Sequence, residues 1–249
     1  MNPVSRWSSG APFAGGTALA AERVFHATRS DAFPPMKILV LDAGAIAVGD
    51  AHGYWLLLCA ARAIAPHEAL ADAARDGRLA GVVLLDAQLD DTGGLAALCR
   101  THPLALYATP GVFEELTARL PRLALPPLGV ALRWHPLPVA GDRRHAEFGI
   151  DGMASLRGIA IDDGGCAAPW SPLRREAVVG DSLALRLEDR DSGQCLVYAP
   201  GRIVHVLDWI DGADCVLVGE AEDMLDDEAD AVPRVAGLAV AQAGLEITL

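Results

Sequence analysis

The chain has 249 residues, 52% of them hydrophobic, with 20 basic against 33 acidic side chains and a net charge of −13. A chain of this length buries roughly 70–75% of its unfolded surface, so a core can form without disulfides or a structural metal. The acidic balance opposes binding to a nucleic-acid backbone or an anionic membrane. The longest apolar run, Tyr54 to Ala61, falls well short of the roughly 20 residues that a membrane helix needs.

Residues 1–35 combine Trp7-Ser8-Ser9-Gly10, Gly15-Gly16 and a closing Pro34-Pro35, with no apolar period and no secretory core segment. They are expected to be an extension, disordered or outside the functional protein, with Met36 opening a domain over 36–249. That domain starts with a short buried strand, Lys37 to Asp42. Gly44-Ala-Ile-Ala-Val-Gly49 then has the glycine spacing of a phosphate-binding loop. Asp50 stands where that loop needs Lys, and a carboxylate there repels phosphate.

Tyr54 to Ala60 reads as a strand, His67 to Asp76 as a short helix and Gly81 to Asp86 as a second buried strand. A Gly93-Gly94 turn leads to a helix from Leu95 to Arg100. Leu104 to Ala108 is a strand, and Pro110 opens a helix that runs through Leu120. Leu183, Leu185 and Leu187 alternate with Ala184, Arg186 and Glu188, the period of a half-buried strand. Asp191-Ser192-Gly193 turns that strand into Cys195-Leu196-Val197-Tyr198. Ile203, Leu207 and Ile210 keep helical spacing up to Gly212, and Cys215 to Val218 is another strand. A last helix over Val235 to Gln242 and a strand over Leu245 to Leu249 close the chain. Hairpins with flanking helices imply an α/β sandwich, not a strictly alternating parallel sheet.

Several chemistries lack their motifs. There is no GxSxG, no HExxH and no His-x-His pair. The seven histidines, at 26, 52, 67, 102, 135, 145 and 205, are scattered. Cys59, Cys99, Cys166, Cys195 and Cys215 lie far apart without a CxxC, which points to free thiols in a reducing cytoplasm.

The most informative stretch is Val82-Val83-Leu84-Leu85-Asp86-Ala87-Gln88-Leu89-Asp90-Asp91-Thr92-Gly93-Gly94-Leu95. It resembles the metallo-β-lactamase signature T-H-x-H-x-D-H-x-G-G. Asp86 and Gln88 stand at the first two His positions, Asp90 at the Asp position and Asp91 at the final His. The resemblance is closer to the coenzyme PQQ (pyrroloquinoline quinone) synthesis protein B family, whose version reads T-D-x-x-[IL]-D-H-T-x-G-L-L. Downstream, Ala105 to Pro110 is similar to that family's "LYATP", and Pro169-Trp170-Ser171-Pro172-Leu173-Arg174 to its "PYSPYR". Leu196 to Gly201 matches "YAPG", and Ala213 to Leu217 with Asp226-Asp227-Glu228 matches "ADxLLxDGTxWxDDE". The cysteine cluster, most of the opening glycine-rich stretch and the "HINNTNP" strand of the family are missing.

The resemblance implies a metallo-β-lactamase-like αββα four-layer sandwich, shortened at its C-terminal end. It implies a place in PQQ biosynthesis, where the family is associated with iron-dependent hydroxylation of a peptide-derived glutamate–tyrosine precursor or with transport of the quinone product. The missing histidines leave catalysis open and the metal site degenerate. Asp86, Asp90 and Asp91 are the candidate metal ligands, for Fe, Mn or Zn or for no metal at all. An all-oxygen set suits Mg²⁺, Ca²⁺ or Mn²⁺ better than redox iron, and Asp90 and Asp91 would equally serve to cap the next helix. Gln88, Trp170, Ser171, Arg174 and Tyr198 are candidate pocket residues, and His145 or His205 could complete a site from elsewhere in the chain. The expected partners are the precursor or the quinone and other proteins of the pathway, without nucleic acid or membrane. A non-catalytic carrier and a metal-dependent hydrolase of the same fold are the alternatives.

Overall fold

The computed structural model describes residues 35–42, 44–59, 68–87, 104–119, 132–165, 176–201, 203–219 and 238–249. The expectations for residues 1–34, for the Gly93-Gly94 turn and the following helix, and for the Asp226-Asp227-Glu228 segment fall outside them.

Two mixed sheets stack face to face. The first contains β1 (Lys37–Asp42), β2 (Ala45–Gly49), β3 (Trp55–Cys59), β4 (Leu79–Leu84), β5 (Leu104–Ala108), β6 (Leu132–Pro136) and, at its edge, β13 (Glu246–Thr248), in the order β13-β1-β2-β3-β4-β5-β6. The second contains β7 (His145–Gly149), β8 (Leu156–Asp162), β9 (Leu183–Asp189), β10 (Cys195–Ala199), β11 (Cys215–Val218) and β12 (Leu238–Val240), in the order β12-β11-β10-β9-β8-β7. Hairpin pairing joins β1 to β2 and β2 to β3, whereas β3, β4, β5 and β6 run parallel. In the second sheet β7 to β10 are antiparallel neighbours, and β10, β11 and β12 are parallel.

Period-2 alternation of apolar residues builds the layers. Ile38, Val40, Leu56, Leu58, Val83 and Leu85 of the first sheet meet Leu183, Leu185, Leu187, Leu196 and Leu217 of the second in one buried core. Leu39, Leu57, Val82 and Leu84 point the other way, under Leu70 and Ala74 of α1 (Glu68–Arg75) and Val112 and Leu116 of α2 (Pro110–Arg119). On the outer face of the second sheet, Ile203, Val206 and Ile210 cover Val197, Ala199 and Val216. These covering residues belong to a 3₁₀ turn (Ile203–Val206) running into the single turn α3 (Leu207–Ile210). The four layers of the expected sandwich are present.

The stretch with phosphate-loop glycine spacing, where Asp50 already argued against nucleotide binding, is β2, whose five residues are all buried and paired on both sides. Other expectations are corrected. The helix expected over Val235 to Gln242 gives way to β12, because β11 offers an open edge and Val216, Leu217 and Val218 pair with Leu238, Ala239 and Val240. Tertiary pairing here outweighs the helical propensity of Ala and Leu. The Ile203 to Ile210 helix is split into the 3₁₀ and α turns just described. The remaining boundary shifts are small: β4 spans Leu79–Leu84 instead of reaching Asp86, and the closing strand is Glu246–Thr248.

Candidate functional site

Because β1, β3, β4, β5 and β6 share one direction and β8, β10 and β11 run alike, the carboxyl ends of these strands gather at common edges of the two sheets. Such ends are where ligands enter sheets of this kind, since the chain leaves each strand there in a loop. The sheets are joined at this end by backbone. The Leu183 N–H donates to the Leu85 carbonyl at 2.9 Å, and Asp86 forms an isolated antiparallel bridge with Ser182. Asp86 itself is mostly buried.

Next to this junction the chain leaves β8 through Asp162, Asp163, Gly164 and Gly165. The Asp163 carboxylate is fully buried. Its Oδ1 accepts the Gly165 N–H at 2.8 Å, and its Oδ2 accepts the Ser182 hydroxyl at 3.1 Å. Burial pushes its pKa up. The hydrogen bonds from Gly165 and Ser182 and the charge of His205 oppose that rise, and Asp162 adds to it. Asp162 braces the other side: Oδ1 accepts the Gly180 N–H at 2.9 Å, and Oδ2 pairs with Arg144 Nη1 at 2.7 Å.

Gly180 is fixed from two further directions. Its carbonyl accepts Thr109 Oγ1 at 2.7 Å, and the same Thr109 oxygen caps α2 by accepting the Val112 N–H at 3.1 Å. Only glycine serves at 180, where φ is +91° and a Cβ would fall 2.2 Å from the Val139 carbonyl oxygen. The start of β9, and so the position of Ser182 against Asp86, is thereby set by β5, β8 and α2 together.

Of the residues singled out in the sequence, Asp86 and Tyr198 come together here. The Tyr198 side chain is wholly buried between the sheets, so it packs beneath the site rather than opening onto it. Burial first, then the neighbouring Cys59, Asp86 and Asp42, hold its hydroxyl well above the ordinary range. The Cys59 thiol at the end of β3 is likewise pushed up, by burial and then by Asp86. Gln88, Asp90, Asp91, Trp170, Ser171 and Arg174 lie outside the described residues. The two histidines part company. His145 packs at a tilt against Trp209 over the outer face of the second sheet, with ring centroids 4.9 Å apart, while His205 sits over Gly164 at the site.

Asp163, Asp162 and Ser182 were not anticipated from the sequence. The available signal was an acid pair followed by two glycines at a strand end, and a serine heading an alternating strand. Among the described residues, no group of three or more His, Cys, Asp or Glu is placed to hold a metal ion. Both Asp163 oxygens already accept hydrogen bonds, and burial keeps the Cys59 thiol protonated. The described residues therefore do not by themselves make the ligand set of a metal centre.

Comparison with known proteins agrees with this architecture. The beta-lactamase superfamily domain model matches residues 39–229. Coenzyme PQQ synthesis protein B of Nitrosococcus oceani is 38% identical over 161 residues, covering 63% of this chain and 51% of the relative. The protein of the same name from Cupriavidus necator is 40% identical over 179 residues, covering 70% of this chain and 56% of the relative. The chain thus spans about half the length of these curated relatives. The crystal structure of Zn(2+)-bound PqqB from Methylobacterium extorquens superposes with a TM-score of 0.52 at 18% identity, over 82% of this chain and 87% of that one. With a family model spanning most of its length and two stacked mixed sheets flanked by helices, the chain belongs to the beta-lactamase superfamily domain family, and the two curated relatives compared above are coenzyme PQQ synthesis proteins B.

Proposed function

We propose that this chain acts in PQQ biosynthesis by binding the glutamate–tyrosine precursor or the quinone product at the sheet end where Asp86 meets Ser182. The observation that carries the reading is the 38–40% identity to coenzyme PQQ synthesis proteins B over 63–70% of this chain. The junction supports it. A buried, many-times-braced backbone is what a binding site needs to hold its polar groups in register, and Asp86 stands at the turn where the family signature begins.

Binding, rather than metal-centred oxidation, is the role that the described residues support. Iron, manganese or zinc would have to draw ligands from Asp90 and Asp91 in addition to Asp86, and those two lie outside the described residues. Other proteins of the pathway are the natural partners for a binding role. Cys59, Cys195 and Cys215 are free and buried, which suits a reducing cytoplasm. None of the described helices is long and apolar enough to cross a membrane.

The test is genetic. Deletion of the gene in its own organism should abolish or sharply reduce PQQ in the medium. Wild type should restore it, and an Asp86→Ala variant that accumulates to the same level should not. Unchanged PQQ after deletion would sink the reading.

A further inference from the structure

The described titratable groups at this end of the molecule are unevenly signed. Asp42, Asp86, Asp162 and Asp163 are carboxylates, and the one guanidinium beside them, Arg144, is paired with Asp162 at 2.7 Å. A precursor rich in carboxylates, or a quinone bearing them, would meet repulsion from these carboxylates. His205 is the exception, and its surroundings are built around it.

The His205 side chain is exposed, yet its ring is seated closely on Gly164. A Cβ at that position would lie 2.9 Å from both Cδ2 and Nε2 of the ring, and φ of Gly164 is +71°. No other residue leaves the ring this seat. Next to Gly164 in the chain is the buried Asp163, whose charged form His205 favours and Asp162 opposes. Gly201, at the end of β10, completes the enclosure. A Cβ there would fall 2.4 Å from Asp163 Oδ2, so the carboxylate fills the space that a side chain at 201 would take. A wholly buried carboxylate is costly, and hydrogen bonds to Gly165 and Ser182 alone could be made by a neutral amide. The charge has a use if it orients and supports an imidazole at the mouth.

We propose that His205 is a ligand-contacting residue of this site, that it donates to an anionic oxygen of the ligand (a carboxylate or a phenolate), and that Asp163 is its positioning residue. The inference rests on the binding role proposed above. It adds an orientation: the ligand's acidic group lies toward the 3₁₀ turn of the second sheet, and its less charged part lies toward Asp86. An imidazole N–H donating to an anionic oxygen is a charge-assisted hydrogen bond, and losing it weakens binding by about tenfold or more.

The experiment titrates PQQ itself into the wild type and into His205→Gln, His205→Arg and Asp163→Asn variants at pH 7, following intrinsic fluorescence. In parallel it records the imidazole ¹⁵N shifts of His205 without ligand. The expected result is binding weakened roughly tenfold in His205→Gln, largely kept in His205→Arg and weakened in Asp163→Asn. The His205 ring signals should move in Asp163→Asn while those of His145 stay in place. Wild-type affinity in His205→Gln would overturn the contact. Unmoved His205 signals in Asp163→Asn would overturn the pairing. If the wild type binds no PQQ, the binding role and the His205 contact both fall, and the ring shifts still decide whether Asp163 positions the imidazole.

Discussion

Asp163 illustrates how one side chain can be structurally satisfied and still be energetically exposed to pH. Burial raises its pKa, so the folded chain holds this proton more tightly than the unfolded chain does. Stability tied to this group is therefore present at low pH and is lost as pH rises from about 3.8 through the folded value. Asp163→Asn cannot titrate. The stability difference between wild type and variant, read from urea unfolding between pH 3.5 and 7, should shift in the variant's favour as pH rises. A difference that stays flat with pH would mean that the carboxylate titrates in the folded chain as it does in the unfolded one. Little of this was legible beforehand. Asp86 stood out because it lies in a signature, whereas Asp163 and Ser182 acquire their roles only when β8 and β9 pair and turn their ends toward β4. Residues 19 apart in the chain share one hydrogen bond for a reason that no local pattern encodes.

At the scale of elements, strands with a two-faced apolar pattern were readable and irregular strands were not. β1, β3, β5, β9, β10 and β11 follow from runs such as Lys37 to Asp42 and from the leucine alternation at 183, 185 and 187. β7 and β12 carry mixed or helix-favouring residues and exist because a neighbouring strand presents an open edge. The same dependence on distant partners appears where the two ends of the described domain meet. The Met36 N–H donates to Gln194 Oε1 at 2.8 Å, and Gln194 Nε2 donates to the Leu249 carbonyl. Leu249 in turn donates its N–H to the Met36 carbonyl at 3.0 Å. A single buried glutamine in the β9–β10 turn of the second sheet thus holds the edge strand β13 and its neighbour β1 in the first. Gln194→Ala leaves a buried backbone donor and acceptor without this partner and should cost about 1–3 kcal/mol, seen as a lower urea midpoint at unchanged slope. A midpoint within error of wild type would show that water replaces the amide at no cost.

Across the whole molecule, one core between the sheets and a separate helical cover on each outer face produce a scaffold whose only backbone seam between sheets, among the described residues of β4 and β9, lies at Leu85–Asp86 and Ser182–Leu183. Fold class was legible from hairpins, flanking helices and the signature around Asp86. The location of the site was legible only in part, because the acid pair after β8 and the imidazole after β10 converge through topology and not through sequence spacing. Fold membership alone does not transfer chemistry to this chain, so the proposal is one of place, with ligand bound where the two sheets are joined. Hydrogen–deuterium exchange with and without PQQ tests it most directly. The account predicts that added PQQ slows exchange at residues 85–87, 163–165, 180–183 and 199–206 and leaves the opposite end of the sheets, including the Asp50–Tyr54 turn, unchanged. Slowing confined to other surfaces, or no slowing anywhere at saturating PQQ, would contradict it.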